Sequence, residues 1–250
     1  MKITEVEAII LRQSVVDGAI ADGSQDDLIV RVHTDEGIVG IGEIDSAPEV
    51  AKAVIEAPDS HYIATGLRHV LVGRDPMDIE GLWRRMYLGS VYYGRRGVAM
   101  HAISGIDIAL WDIRGKALGK PVCELLGTKK RDRIRPYASL LMPETEREVA
   151  ARVEELVAMS FTAIKFGWGP LGRDEAHDVR LAAAAKRAAG AGVEILIDAG
   201  FGYGADADRA IRVARKLEDL GIYWLEEPFE PDEFEAYARL ADSVELRVAA

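Results

Sequence analysis

The chain has 250 residues, of which 49% are hydrophobic and 29% charged, and its formal net charge is −11. These proportions are typical of a soluble globular protein, and the length allows one large domain or two smaller ones. The excess of carboxylates argues against a surface that binds nucleic acid or anionic lipid. A small anionic substrate stays compatible with it, because a bound metal can reverse the local sign of charge. No run is apolar enough to cross a membrane.

The single cysteine, Cys123, excludes a disulfide within the chain, which fits a reducing cytoplasm. We expect Cys123 to be a small buried apolar residue. The first six residues alternate as a strand does and lack the apolar core of a signal peptide. These features predict a cytoplasmic protein.

The first part of the chain alternates as strands do and then becomes helical. Three strands are predicted, the last two joined by a hairpin turn, at Ile3–Leu11, Asp27–Thr34 and Ile38–Glu43. Ser14–Gln25 is predicted to be a loop. Ser46–Ser60 is predicted to be either a loop or a loosely formed helix. Amphipathic or apolar helices are predicted at Asp78–Tyr87 and Val98–Leu118. Residues 1–132 are therefore expected to form an α+β domain.

From Arg133 onward, short strands alternate with helices. The predicted strands are Ile134–Leu141, Phe161–Phe166, Val193–Ala199, Ile222–Glu226 and Leu246–Ala249. Helices are expected to follow Thr145, Asp174, Asp206 and Asp232, and Thr145 with Glu148 forms a capping-box pattern. This order predicts parallel βαβ units over residues 133–250. An open doubly wound sheet and a (β/α)8 barrel both satisfy the periodicity.

Charged residues stand at the ends of three successive predicted strands. Asp198 and Glu226 each close an otherwise apolar strand, and Lys165 has a similar place on the strand before them. In a barrel, this rim is where active sites are built. Carboxylate oxygens suit Mg²⁺, which would relieve the repulsion between the two acids. The alternative is that these charges reach solvent or pair with Lys or Arg, but their recurrence on three strands favours a functional site.

Two of these strands match a known family. The motifs LIDAG at 196–200 and WLEEP at 224–228 resemble the metal-ligand strands of the enolase superfamily. TDEGIVGIGE at 34–43 and SGIDIALWDIRGKALGKPVCELLG at 104–127 are similar to the capping domain of its mandelate racemase/muconate lactonizing enzyme group. The resemblance covers the whole chain. It implies an α+β capping domain followed by a β/α TIM-type barrel, of which residues 133–250 supply about five strands.

The resemblance also implies a chemistry. Members of the group remove the proton next to a carboxylate, and Mg²⁺ stabilises the resulting enediolate. Asp198 and Glu226 would be metal ligands, and a third ligand and an acid-base histidine are not in the 250 residues. Lys165 matches the first Lys of a Lys-x-Lys pair and would act electrostatically in catalysis. Gly167 replaces the second Lys, which is a base, and Gly200 stands where Asn is common.

The missing base favours dehydration of an acid sugar, an aldonate or aldarate, to a 2-keto-3-deoxy product. A racemase, epimerase or cycloisomerase of the same superfamily is the first alternative, and an inactive or fragmentary homologue is the second. The third is an NAD-dependent dehydrogenase, suggested by GFGYG at 200–204, although its G-x-G-x-G spacing differs from the dinucleotide fingerprint.

Tyr137 and Ser139 alternate on the first barrel strand and are candidates for substrate contact, although side chains also fill the interior of such barrels. We expect a small carboxylate substrate and a homo-oligomer.

Overall fold

The structure is a computed structural model that describes residues 1–18 and 23–250. The chain divides into two compact units, Met1–Asp132 and Arg133–Ala250. Residues 19–22, which belong to the predicted loop Ser14–Gln25, lie outside the described residues. Within 1–18 and 23–250, no helix is long and apolar enough to cross a membrane.

The first unit packs helices on a three-stranded antiparallel sheet of order β1-β2-β3. Its strands are β1 (Ile3–Arg12), β2 (Asp26–Thr34) and β3 (Val39–Ile44). Its helices are α1 (Pro48–Glu56), α2 (Leu67–Leu71), α3 (Ile79–Gly89), α4 (Val98–Leu118) and α5 (Val122–Leu125). Helix α4 crosses β3 closely, because a Cβ placed on Gly42 would lie 1.9 Å from the carbonyl oxygen of Gly105. The predicted α+β architecture is confirmed in this unit.

Two details of the first unit differ from expectation. The segment predicted as a loop or loose helix contains the regular helix α1, which begins at Pro48, a residue whose fixed φ suits the first helical turn. Cys123 is exposed, so the expectation that it is buried was wrong. It lies on the four-residue helix α5, none of whose residues is buried.

The second unit is a five-stranded parallel sheet of order β4-β5-β6-β7-β8. Its strands are β4 (Ala138–Leu141), β5 (Ala163–Gly167), β6 (Glu194–Asp198), β7 (Trp224–Glu226) and β8 (Arg247–Ala249). Its helices are α6 (Glu146–Ala158), α7 (Glu175–Ala189), α8 (Ala207–Asp219) and α9 (Phe234–Ala241). Strand β4 begins four residues later than predicted, because residues 134–137 are exposed and have no strand partner.

Three helices of this unit, α6 to α8, start where the sequence predicts, whereas α9 starts at Phe234, two residues after the predicted Asp232, and has no side-chain cap. Thr145 and Glu148 form the expected capping box at the start of α6. Asp174 and Asp206 each accept a hydrogen bond from a backbone N–H in the first turn of α7 and α8. These caps satisfy amide groups that a helix otherwise leaves unpaired at its start.

The core of the second unit lies between one face of the sheet and the helices. Ile164 and Phe166 of β5, together with Ile195 and Ile197 of β6, project into this core. Burial of one such large side chain stabilises the fold by about 1.5–3 kcal/mol. Because successive side chains on a strand point to opposite faces, Lys165 and its counterparts on neighbouring strands project from the other face of the sheet.

Candidate metal site

The register of the parallel sheet determines how far along the strand direction each charged residue lies. Asp198 lies opposite Glu226 on β7 and opposite Gly167 on β5. Lys165 is level with Leu196, one side-chain repeat below Asp198. The two carboxylates therefore lie at one level at the carboxyl ends of the strands, and Lys165 reaches them from below.

The ammonium group of Lys165 contacts both carboxylates. Its Nζ donates to Oδ2 of Asp198 at 3.1 Å and to Oε1 of Glu226 at 2.8 Å. All three side chains are largely buried, with exposed fractions of 12% for Lys165, 8% for Asp198 and 22% for Glu226. Burial alone would lower the pKa of Lys165, but the hydrogen bonds and negative charges of Glu226 and Asp198 leave it raised above its ordinary value. The two carboxylates therefore stabilise the ammonium form of Lys165.

Each carboxylate has a second partner that orients it. The backbone N–H of Gly200 donates to Oδ1 of Asp198 at 3.1 Å. The indole Nε1 of Trp224 donates to Oε2 of Glu226 at 3.0 Å. Trp224 was not singled out from the sequence, although its position two residues before Glu226 on the same strand places both side chains on one face.

The structure distinguishes Glu226 from its neighbour Glu227. Glu226 ends β7 and meets Lys165, whereas Glu227 has a φ of 42°, a left-handed conformation that turns the chain out of the strand. Burial, followed by the negative charges of Asp198 and Glu226, raises the pKa of Glu227. The first Glu of the WLEEP motif is thus the one that shares a cation with Asp198.

Two glycines near Asp198 are packed closely against neighbouring side chains. A Cβ on Gly167 would lie 2.8 Å from Cβ of Asp198 and 3.0 Å from its Cγ. A Cβ on Gly200, which has a φ of 51°, would lie 2.5 Å from the indole ring of Trp168. The packing therefore has no room for a side chain at the position where the group's second Lys or its Asn would stand.

Tyr137 and Ser139 lie on the same side of the sheet as Lys165. Ser139 is exposed and pairs in register with Lys165, and the Tyr137 ring centre is 5.8 Å from Nζ of Lys165. The Tyr137 ring also meets Trp224 edge-on, with centres 5.8 Å apart. Both residues are near the charged cluster, and their contact with a substrate stays a prediction.

The donor set fits a divalent metal in part. Among residues 1–18 and 23–250, no group of three or more His, Cys, Asp or Glu side chains could hold a metal ion. Asp198 and Glu226 nevertheless converge closely enough for one ammonium nitrogen to touch both. Two carboxylates that share one cation are the kind of donors that Mg²⁺ uses, with its other positions taken by water, substrate or further ligands.

Known proteins match both units of this chain. The family "Enolase C-terminal domain-like" matches residues 148–250, and the family "Mandelate racemase / muconate lactonizing enzyme, N-terminal domain" matches residues 11–127. A D-galactarolactone cycloisomerase from Agrobacterium fabrum is 34% identical over 228 residues. An arabinonate dehydratase from Saccharolobus solfataricus is 32% identical over 241 residues. These alignments cover 89% and 95% of this chain but only 56% and 62% of the relatives.

Solved structures agree with the sequence matches. A protein from Rhodobacter sphaeroides described as a predicted mandelate racemase superposes with a TM-score of 0.90 at 34% identity, covering 100% of this chain and 64% of that one. A mandelate racemase/muconate lactonizing protein from Paracoccus denitrificans, complexed with magnesium, gives a TM-score of 0.85 at 31% identity, with coverage of 100% and 65%. The chain thus has the group's capping domain followed by part of its TIM-type barrel. It belongs to the mandelate racemase/muconate lactonizing enzyme group of the enolase superfamily.

Proposed function

We propose that the full-length protein removes the proton next to the carboxylate of an acid sugar and dehydrates the sugar to a 2-keto-3-deoxy product. The proposal rests on one observation: Asp198 and Glu226 both contact the Lys165 ammonium, and the strand that carries Lys165, β5, ends in Gly167. The names of relatives, among them an arabinonate dehydratase and D-galactonate dehydratases, support the substrate class.

Asp198 and Glu226 are the residues that would hold Mg²⁺ at this site. When bound, the metal would neutralise negative charge that develops on the substrate carboxylate as the proton leaves. The backbone N–H of Gly200 and the indole of Trp224 each hold one oxygen of these ligands, which fixes their orientation. Among residues 1–18 and 23–250, no third His, Cys, Asp or Glu completes a group that could hold the metal.

Lys165 would serve as a fixed positive charge and not as the base. Its two hydrogen bonds occupy it with the carboxylates. Gly167 supplies no base on the same strand, and Asp198 fills the space that a side chain there would need. A reaction that uses one base, from another strand, is therefore favoured over racemisation with a base on each face of the substrate.

Cycloisomerisation is the second candidate. A D-galactarolactone cycloisomerase that is 34% identical to this chain supports it. The two candidates differ in substrate, because a cycloisomerase takes a lactone or another cyclic sugar acid and a dehydratase takes an open-chain one. Racemisation and epimerisation are less favoured, since β5 has no base.

The test is a screen of the purified full-length protein with Mg²⁺ against aldonates, aldarates and their lactones, with detection of 2-keto acids. We expect a keto product from at least one open-chain acid sugar and a loss of activity with a chelator. Asp198→Asn and Glu226→Gln are each expected to reduce activity by about a hundredfold or more. Glu154→Gln, which alters an exposed carboxylate on α6, is the matched control and should leave activity unchanged. Turnover of lactones alone would favour the cycloisomerase, and no product from any of these compounds would contradict both candidates.

A further inference from the structure

A buried carboxylate outside the metal site joins two loops of the second unit. Asp178, in the first turn of α7, is 2% exposed. Its Oδ2 lies 3.1 Å from the backbone nitrogen of Gly172 and accepts the hydroxyl hydrogen of Tyr203, also at 3.1 Å. Gly172 belongs to the loop after β5 and Tyr203 to the loop after β6. One carboxylate therefore connects both loops, and burial raises its pKa despite these bonds.

The two loops meet backbone to backbone at this point. Gly172 has a φ of 82°, and a Cβ on it would lie 2.2 Å from the carbonyl oxygen of Gly202. Arg209 donates a hydrogen bond to the carbonyl of Gly172, and its guanidinium centre lies 5.5 Å from the Tyr203 ring centre. Tyr203 itself is 4% exposed and so is enclosed by these neighbours.

The turn that precedes Tyr203 carries the amide that orients the candidate metal ligand. The backbone N–H of Gly202 donates to the carbonyl of Ala199 at 2.9 Å, which closes the tight turn after β6. Within this turn, the N–H of Gly200 points at Oδ1 of Asp198. The backbone N–H of Tyr203 donates to the carbonyl of Pro228, in the segment after β7, at 3.1 Å.

We propose that Tyr203 and Asp178 are positioning residues that hold the loops after β5 and β6 together and so fix Asp198 for metal binding. Tyr203, in the loop after β6, contacts two other segments: its hydroxyl donates to Asp178 on α7, and its amide donates to the carbonyl of Pro228 after β7. Tyr203 acts on Asp198 indirectly, because the turn before Tyr203 positions the Gly200 N–H that donates to Oδ1 of Asp198. The metal-binding consequence rests on the proposed function, whereas the connection between the loops does not.

Hydrogen exchange followed by mass spectrometry tests the connection in full-length protein without metal. Tyr203→Phe removes the hydroxyl that Asp178 accepts from, and we expect amides in residues 168–173 and 199–206 to exchange about tenfold faster. Tyr237→Phe is the matched control, because it removes a hydroxyl that donates to the carbonyl of Phe229 at 2.9 Å and does not join these two loops. Unchanged exchange in both loops of Tyr203→Phe would overturn the proposal.

Titration with Mn²⁺, followed by electron paramagnetic resonance of the free ion, tests the consequence. At a temperature well below unfolding, Tyr203→Phe is expected to raise the Kd for Mn²⁺ about tenfold, and Tyr237→Phe to leave it within twofold. Asp178→Asn, which keeps one acceptor oxygen, should show a smaller change in the same direction. A lower melting temperature with an unaltered Kd would reduce the pair to a purely structural role and overturn the proposal. Failure of the unaltered protein to bind Mn²⁺ would contradict the proposed function, and hydrogen exchange would still decide whether the loops are joined.

Discussion

Lys165 offsets part of the negative charge of the candidate site. Its ammonium is the cation in contact with both Asp198 and Glu226 in the structure, and the exposed fractions of the three side chains are 22% or less. Removing one partner of a buried ion pair leaves an uncompensated charge, which costs more than the pair contributes. Lys165 therefore matters for stability as well as for any substrate contact.

Replacing Lys165 with Met should show this dependence. We expect the free energy of unfolding of Lys165→Met to fall by about 3 kcal/mol in urea titrations without metal. Millimolar Mg²⁺ should restore part of the loss, because a cation that binds only the folded state stabilises it. Lys129→Met is the control, since its partner Asp132 is 94% exposed, and it should change stability by less than about 1 kcal/mol. Equal effects of the two variants would contradict a buried charge cluster.

Gly167 is the residue where the structure most constrains the chemistry. A Cβ there would overlap the Asp198 side chain, so we expect Gly167→Ala to lower the free energy of unfolding by about 1–3 kcal/mol and to weaken Mg²⁺ binding. Gly192→Ala, in the same unit, meets no atom within 4 Å and should change stability by less than about 0.5 kcal/mol. Calorimetric unfolding and metal titration of both variants make the comparison. A stable Gly167→Ala protein with normal metal affinity would show that Asp198 can move aside.

At the scale of elements, three helices of the second unit, α6 to α8, start at side-chain caps. The Thr145 hydroxyl accepts from the Glu148 amide, and Glu148 in turn accepts from the Thr145 amide at 3.1 Å. We expect Thr145→Ala to reduce the free energy of unfolding by about 1 kcal/mol, as measured by denaturant titration. Thr128→Ala, at an exposed loop position, is the control and should have an effect of less than about 0.5 kcal/mol. A Thr145→Ala protein as stable as the control would mean that water satisfies the freed amide equally well.

Most elements could be predicted from local patterns, because periodicity and caps are local properties. The bounds of α4 agree with the prediction, since an apolar run is followed by Gly119 in the left-handed conformation. The start of β4 was misplaced because Ile134 looks like a strand residue, yet nothing pairs with it. The short helices α2 and α5 lack the periodicity that would reveal them.

The sequence predicted which residues come together at the site, but not their relative positions along the strands. The strand-end positions of Asp198 and Glu226 follow from sequence alone, because each ends an apolar run. That Lys165 lies one repeat below them depends on the pairing of β5 with β6, which no local pattern specifies. The same holds for the Asp178–Tyr203 contact, whose partners are 25 residues apart in the chain.

At the scale of the whole molecule, the two compact units meet in sequence at Asp132 and Arg133. Residues 127–137 are exposed and include a run of basic residues at 129–133. We expect brief digestion of the folded protein with trypsin to cut first within 129–133, as measured by the masses of the fragments. Residues 13–25 contain no Lys or Arg and so offer trypsin no competing site. First cuts within α4 or α7 would contradict a domain boundary at this place.

The order of the parallel sheet also bears on how the chain folds during synthesis. Each strand of the second unit pairs only with the strands directly before and after it in the chain, so the sheet can assemble in the order in which the ribosome delivers it. Lys165 emerges first, Asp198 33 residues later and Glu226 61 residues after Lys165. The cation is therefore already present when each acid arrives. On this route neither carboxylate has to be buried before its counter-charge has left the exit tunnel.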